Sequence, residues 1–165
     1  ILRNSLLYSN MINKQKLFIL IYGILSIGCS YISLPHVYFK SNSTVYNNDP
    51  EFNYRRSNMG NKSEVLQYMA GILEKNPKIG LCIYGHSDFL EYKIDPTLSL
   101  KRSEIVFDDL VDLGIDSTRL LIKDLGCDYQ VLSEYDIKRL RTDKEKEEAR
   151  LINGYVSFDL TNLKS

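Results

Sequence analysis

An acidic and a basic residue flank a polar segment near the middle of the chain. Asp88 ends the motif GHSD at residues 85–88, and Arg102 lies in the motif LSLKRS at residues 98–103. A carboxylate and a guanidinium that lie close together can hold a zwitterion, because each forms charge-assisted hydrogen bonds with the opposite charge. The pair therefore predicts a binding site for a small group that carries both charges.

The sequence around this pair predicts a strand, a polar loop and a helix. Residues 79–84 form a short apolar run typical of a buried strand. Residues 97–113 carry apolar side chains at three- to four-residue spacing, which predicts an amphipathic helix that Gly114 ends. In open α/β sheets, ligands bind outside the carboxyl ends of the strands. We therefore expect Asp88 and Arg102 to face one shallow pocket at that edge of the sheet.

Strand and helix patterns alternate along the rest of the chain. Strands are predicted at residues 120–123 and 155–160, the second of them antiparallel, and helices at residues 61–75 and 143–152. Thr142 and Glu145 form a capping-box pattern before the last helix, whose charged residues predict a solvated face. Residues 46–60 and 128–142 are predicted to be loops. The alternation indicates an α/β fold with a parallel component in its sheet.

Two motifs resemble the core pattern of the OmpA-like peptidoglycan-binding domain, which is found in outer membrane protein A and in peptidoglycan-associated lipoproteins. In that family a strand ends in Gly-His-Thr-Asp and a helix opens with Leu-Ser-x-x-Arg-Ala; the matching segments here are GHSD and LSLKRS. The resemblance extends over residues 37–160 and matches residues 37–39 to the family's first strand. It implies an α/β (α+β) fold in the order β-α-β-α-β-(α)-β, with helices packed on one mixed sheet.

The resemblance also implies a ligand and a set of binding residues. In this interpretation Asp88 takes the ammonium, and Arg102 the carboxylate, of a diaminopimelate-type residue in the stem peptide of peptidoglycan. The N-terminus of the predicted helix adds partial positive charge and backbone N–H groups beside the ligand carboxylate. The remaining expected ligand-binding residues are Ser87, Asp95, Leu98 and Ser99.

Departures from the family pattern keep a second hypothesis open. The family enters its last strand through Asn-Arg-Arg-Val, whereas residues 153–156 are NGYV, so we expect less positive charge around Asp88. Asp95 stands where the family has Asn, and Glu91 lies near a family Gly. Asp88 can also act only as a cap for the next segment, and Arg102 can pair only with Asp88 or Glu91. The chain is then an OmpA-like protein-interaction or structural module of the cell envelope that has lost peptidoglycan binding.

Composition and motif content exclude several classes of function. The 165 residues are 44% apolar, which suits one domain with a core, and 21 basic residues balance 21 acidic ones, so nucleic acid is not an expected partner. His86, Ser87 and Asp88 are consecutive and cannot form a catalytic relay. The sequence holds two histidines, too few for a multi-histidine metal site. We expect no enzyme activity, no cofactor and no metal.

Three cysteines, at positions 29, 82 and 127, lack the spacing of a metal site. An oxidising compartment allows a disulfide between Cys82 and Cys127 if their strands are neighbours. Cys82 also fits a buried thiol of the core. The sequence leaves these two alternatives open.

The first part of the chain predicts export. From Met11, a basic segment precedes an apolar run at residues 17–27, and Gly28-Cys29 resembles a bacterial lipobox. We interpret residues 1–29 as a presequence and signal, with residues 1–10 either preceding the native start or belonging to a fragment. Residues 30–36 are then a short tether and residues 37–161 the domain.

Two kinds of membrane attachment fit this interpretation. Lipid on Cys29 would hold the domain on the periplasmic side of the outer membrane. The alternative is an uncleaved anchor in the inner membrane, because the apolar run approaches spanning length. The expected partners are therefore peptidoglycan, a membrane and other envelope proteins.

Overall fold

A mixed sheet of four strands is the centre of the part of the chain that the computed structural model describes, residues 34–57 and 59–163. The strands are β1 (Val37–Tyr38), β2 (Ile79–Gly85), β3 (Leu120–Asp124) and β4 (Tyr155–Asn162), in the spatial order β1-β4-β2-β3. β2 runs parallel to β3 and antiparallel to β4, and β1 is antiparallel to β4. The predicted mixed sheet with its antiparallel last strand is confirmed. The interpretation of residues 1–33, including Cys29, lies outside the described residues.

Six α-helices connect the strands among the described residues. They are α1 (Pro50–Ser57), α2 (Lys62–Lys75), α3 (Phe89–Ile94), α4 (Leu98–Asp112), α5 (Glu134–Lys138) and α6 (Asp143–Asn153), and a 3-10 turn spans Ser117–Arg119. The predictions of α2, α4 and α6 are confirmed, and Thr142 and Glu145 form the predicted capping box. Gly114, with a φ of 91°, follows the end of α4 as predicted. Within the described segments, no helix combines the length and the apolar character needed to cross a membrane.

Three short helices replace segments that the sequence predicted as loops. α1 lies within residues 46–60, α3 lies between residues 88 and 97, and α5 lies within residues 128–142. Each follows a residue whose side chain accepts a backbone N–H of the first turn, namely Asp49, Asp88 and Ser133. The loop predictions were wrong because capping residues and prolines are also loop signals. Helices of 8, 6 and 5 residues are moreover too short to show a clear apolar stripe.

The core lies where α2 and α4 pack against the sheet. Full burial of one apolar side chain stabilises a fold by about 1.5–3 kcal/mol. Arg102 lies four residues before the buried Val106 on α4 and therefore shares its inward face. The buried face of α4 that the apolar stripe predicted therefore also includes the guanidinium of Arg102. The main buried side chains are Val65, Met69 and Leu73 of α2, Leu81 and Ile83 of β2, and Val106 and Leu110 of α4.

Helix α4 crosses the end of β2 at Gly85. A Cβ atom at Gly85 would lie 1.9 Å from the carbonyl oxygen of Ser99. Glycine, which has no Cβ, permits this approach. The first turn of α4 therefore lies directly beside the residues that follow β2.

The two cysteines of the described residues are both free. Cys82 is buried in β2, and Cys127 is partly exposed. The disulfide that the sequence left open is not formed in this structure. The interpretation of Cys82 as a buried thiol of the core is confirmed.

We expect Gly85→Ala to destabilise the fold, because a methyl group and the Ser99 carbonyl oxygen cannot share the same space. Overpacking typically costs about 1–3 kcal/mol, and a clash with backbone belongs at the upper end of that range. Gly71→Ala is the matched control, since a Cβ there meets no atom within 4 Å. It should stabilise α2 by about 0.5–1 kcal/mol. Urea unfolding measures both variants, and a Gly85→Ala variant as stable as wild type would contradict the close crossing.

Candidate functional site

Asp88 is held at the carboxyl edge of the sheet by the start of α3. The chain passes from the end of β2 through Ser87 to Asp88, which is the N-cap of α3. The Asp88 side chain accepts the N–H of Leu90 at 2.9 Å, and the N–H of Asp88 donates to Oε2 of Glu91 at 2.9 Å. This reciprocal capping box fixes the carboxylates of Asp88 and Glu91 on one turn. Both residues are buried.

Arg102 of α4 is fully buried against the same turn. Its Nη1 and Nη2 donate to the two carboxylate oxygens of Glu91 at 2.8 and 2.9 Å, in the two-bond geometry that makes such pairs strong. The remaining N–H groups donate to three carbonyl oxygens at 3.2, 3.0 and 3.1 Å, those of His86, Ser43 and Lys40. A guanidinium has five N–H donors, so all of them have partners inside the protein.

Glu91 receives hydrogen bonds from four donors. Besides the two from Arg102 and the one from Asp88, its Oε1 accepts the N–H of Asn42 at 2.7 Å. Asn42 has a φ of 49°, a left-handed conformation that Asn adopts more readily than most residues. Burial alone would raise the pKa of the Glu91 carboxyl, but the hydrogen bonds and the charge of Arg102 hold the pKa below its ordinary value. Glu91 is therefore an ionised carboxylate with every oxygen engaged.

A second guanidinium reaches Asp88 from α6. Nη1 of Arg150 lies 2.7 Å from Oδ1 of Asp88, and Nδ2 of Asn153 donates to Oδ2 of Asp88 at 3.1 Å. Arg150 also donates to both carboxylate oxygens of Glu134 at 2.8 and 3.0 Å. Its hydrogen bond lowers the pKa of Glu134, and the hydrogen bonds of Glu134 and Asp88 raise the pKa of Arg150.

The surroundings of Asp88 nevertheless include one positive charge. The family's two arginines are missing at residues 154 and 155, but Arg150 brings a guanidinium to Asp88 from the preceding helix. We call the connected residues Arg102, Glu91, Asp88, Arg150 and Glu134 the charge network. Across the described segments, no group of three or more His, Cys, Asp or Glu side chains is arranged to hold a metal ion.

The shallow pocket that the sequence predicted is closed in this structure. Asp88 and Arg102 lie at the expected edge and are linked through Glu91, but both are 0% exposed. A narrow hollow beside β1, α1 and α2, lined by residues such as Tyr38 and Lys62, contains no member of the charge network. Ligand binding by Asp88 and Arg102 stays a prediction, and it requires the charge network to open.

Gly154 packs closely against the guanidinium of Arg102. A Cβ atom at this position would lie 2.9 Å from Nη1 and 3.3 Å from Cζ of Arg102. Because five hydrogen bonds hold the guanidinium in place, residue 154 has no room for a side chain. The absence of a side chain at Gly154 therefore leaves the space that the buried Arg102 occupies.

Three more predicted site residues are buried beside the charge network. Ser87, Leu98 and Ser99 are 0%, 5% and 0% exposed. Oγ of Ser99 donates to Asp124 at 2.5 Å, which ties α4 to β3. Oγ of Ser87 has no hydrogen-bond partner among the described residues. The Ser87 hydroxyl is thus a buried donor that no other described residue uses.

Asp95, the other predicted site residue, lies outside the charge network. Its Oδ2 accepts Nζ of Lys101 at 2.7 Å, and its Oδ1 accepts the N–H and hydroxyl of Thr97. These hydrogen bonds, chiefly that of Lys101, lower the pKa of Asp95 to about 2. The Asp95 carboxylate therefore organises the turn before α4.

His86 belongs to a stack of rings beside the charge network. Its ring stacks on Tyr155 with 4.1 Å between centroids, and Tyr155 stacks on His36 at 4.9 Å. Nε2 of His86 lies 2.9 Å from Oγ of Ser157, while Nδ1 has no partner in the described part of the chain. Burial, with a contribution from His36, lowers the pKa of His86 to about 4. The ring is neutral at neutral pH and adds no positive charge to the site.

Sequence reasoning found one half of the charge network and missed the other. The pairing of Arg102 with Glu91 was one of its alternatives, and the D-x-x-E pattern of Asp88 and Glu91 is a capping-box signal. Arg150 gave no such signal, because it belongs to a run of charged residues and lies 62 positions from Asp88. Asn153 was noted only as part of the approach to the last strand.

Comparisons with known proteins identify the fold. No protein-family model matches the sequence, and no curated protein matches it either. Among solved structures, the peptidoglycan-associated lipoprotein from Burkholderia pseudomallei is 20% identical, with a TM-score of 0.55 over 77% of this chain and 90% of its own. The periplasmic domain of MotB from Helicobacter pylori is 16% identical, with a TM-score of 0.52 over 77% of this chain and 69% of its own. The described domain has the OmpA-like fold that the sequence resemblance predicted.

We expect the stability of the fold to decrease as the pH falls from about 6.5 to 4. The pKa of His86 is about 4 in the folded protein and 6.5 for an unperturbed histidine, so between these values the unfolded chain binds a proton that the folded chain does not. The free energy of unfolding should fall by up to about 3 kcal/mol over this range. Urea unfolding at a series of pH values measures it.

His86→Gln, which stays uncharged, should flatten this pH profile. His36, whose pKa burial also lowers, contributes a slope of the same sign and would remain. Below about pH 4.5 a further loss should appear in both proteins, because the lowered pKa of Glu91 makes the unfolded chain the stronger proton binder. An unchanged slope above pH 4.5 in His86→Gln would contradict the role of His86.

Proposed function

We propose that this chain is a non-catalytic module of the bacterial cell envelope that binds peptidoglycan non-covalently and so links a membrane to the cell wall. The observation that carries the proposal is that Asp88 and Arg102 both donate hydrogen bonds to Glu91 at the carboxyl edge of β2. The shared fold with a peptidoglycan-associated lipoprotein supports it.

The proposed ligand is the zwitterionic end of a diaminopimelate-type stem peptide. Asp88 takes the ammonium and Arg102 takes the carboxylate, each through charge-assisted hydrogen bonds. The unpartnered hydroxyl of Ser87 and the positive end of α4 at Leu98 and Ser99 lie beside the same place. Asp95, although its carboxylate is bound to Lys101 at 2.7 Å, would add negative charge that favours an ammonium.

The contacts of the charge network favour a second candidate function. Glu91 satisfies Arg102, and Arg150 satisfies Asp88, so a domain in this state presents neither charge to a ligand. The chain would then be a structural or protein-interaction module of the envelope that keeps the fold without binding peptidoglycan. Direct binding to cell wall separates the two functions.

We expect the full chain to sediment with purified sacculi, and Asp88→Asn to bind them about ten- to a hundredfold more weakly. A charge-assisted hydrogen bond contributes about 1.5–3 kcal/mol, which corresponds to that factor. Asn caps helices as well as Asp does, so the start of α3 should persist. Arg102→Lys should also weaken binding, because an ammonium cannot form the two parallel bonds of a guanidinium.

Asp112→Asn, at the exposed end of α4, is the matched control for charge and should bind like wild type. Equal sedimentation of wild type and Asp88→Asn would remove Asp88 from the site. If wild type does not sediment with sacculi at all, the wall-binding proposal fails and the interaction module stands.

We also propose that the chain is exported and carries lipid on Cys29. Residues 30–36 then tether the domain, residues 37–161, to the periplasmic side of the outer membrane. The basic segment, the apolar run and the Gly28-Cys29 pair support this. Mass spectrometry of the mature N-terminus should find an acylated Cys29, and an intact start at Met11 in membrane fractions would point instead to an inner-membrane anchor.

A further inference from the structure

We infer that the charge network is a self-occupied form of the binding site. The carboxylate of Glu91 is paired with Arg102, where the carboxylate of a ligand would bind. The guanidinium of Arg150 is paired with Asp88, where the ammonium of a ligand would bind. The identity of the ligand rests on the proposed function, whereas the two internal contacts do not depend on it.

The Arg102 half of the site is closed tightly. The side chains of Arg102 and Glu91 are 0% and 6% exposed, and they share two parallel hydrogen bonds. All five donors of Arg102 are used, so a second carboxylate finds no N–H to accept. A ligand carboxylate therefore binds Arg102 only by displacing the carboxylate of Glu91.

The Asp88 half of the site is closed less tightly. The Arg150 side chain is 19% exposed, and Glu134, its other partner, is 21% exposed. Arg150 can leave Asp88 and keep both hydrogen bonds with Glu134. Its guanidinium would therefore still have a charged partner. The site should therefore admit a cation at Asp88 more readily than an anion at Arg102.

Opening the Arg102 half moves more than one side chain. Glu91 also accepts the N–H groups of Asp88 and Asn42, so its departure removes acceptors from the first turn of α3 and from the loop after β1. Binding is then an exchange of internal contacts for ligand contacts of the same kind. A variant that lacks the side chain occupying one half of the site, that of Glu91 or Arg150, should bind ligand more tightly than wild type does.

The carboxylate half is tested by chemical rescue with acetate. Glu91→Ala removes atoms that acetate closely reproduces, and it leaves Arg102 buried beside the resulting hole. We expect the thermal midpoint of the full-length variant to fall, and acetate at millimolar concentration to raise it by about 3 °C or more. Sodium chloride at equal ionic strength should not reproduce the rise.

Glu145→Ala is the matched control, because Glu145 holds the same place in the exposed capping box of α6. Acetate should not rescue this variant or change wild type. An acetate effect of equal size on both variants would overturn the inference for the Arg102 half.

The ammonium half is tested with Arg150→Met, which keeps the apolar stem of the side chain and removes its charge. Calorimetry with free diaminopimelate should show about tenfold tighter binding than wild type, the factor expected for one charge-assisted hydrogen bond. Arg139→Met, at the exposed residue that follows α5, removes the same charge and should bind like wild type. Equal affinity of wild type and Arg150→Met would overturn the inference for the Asp88 half.

The two experiments separate this inference from the proposed function. Acetate rescue of Glu91→Ala with no diaminopimelate binding by any variant would confirm the self-occupied Arg102 half and contradict the proposed ligand. Binding of diaminopimelate by wild type as tightly as by Arg150→Met, without acetate rescue of Glu91→Ala, would support the ligand and overturn self-occupation.

Discussion

The buried ion pair of Arg102 and Glu91 is the constraint on which the site and its surroundings depend. Removing two charges from water costs several kcal/mol per ion, and only a complete set of hydrogen bonds offsets that cost. The set is drawn from separate parts of the chain: the loop after β1, the end of β2 and the first turn of α3. The pair therefore fastens α4 to three other segments, and none of them can move far without leaving a charge or a donor unsatisfied.

Local patterns were enough to predict the frame of the domain. The apolar stripe of α4, the buried run of β2 and the capping box of α6 each depend on residues within one helix or one strand, and all three are present. The short helices were missed because their capping residues resemble those of loops. The contact between Arg150 and Asp88 was missed for a different reason: it depends on how α6 packs near the end of β2, which no local pattern records.

Fold and side-chain chemistry give different information about this protein. The OmpA-like architecture is shared with proteins that are 20% and 16% identical, so the arrangement of strands and helices tolerates wide changes in sequence. The charge network, by contrast, depends on a few side chains at the carboxyl edge of the sheet, including Glu91 at a position near a family glycine. A shared fold therefore does not show that the site is shared, and function has to be argued from the site.

The close approach of Gly154 to Arg102 limits the routes by which such a site can evolve. Any side chain at position 154 would meet a guanidinium that hydrogen bonds hold in place, so a larger residue there and Arg102 in its present position exclude each other. A larger residue at position 154 therefore requires Arg102 to move, and the hydrogen bonds of Glu91 oppose that movement. Substitutions at positions 91 and 154 should therefore be epistatic, with effects on stability that do not add and with one order of acquisition favoured over the other.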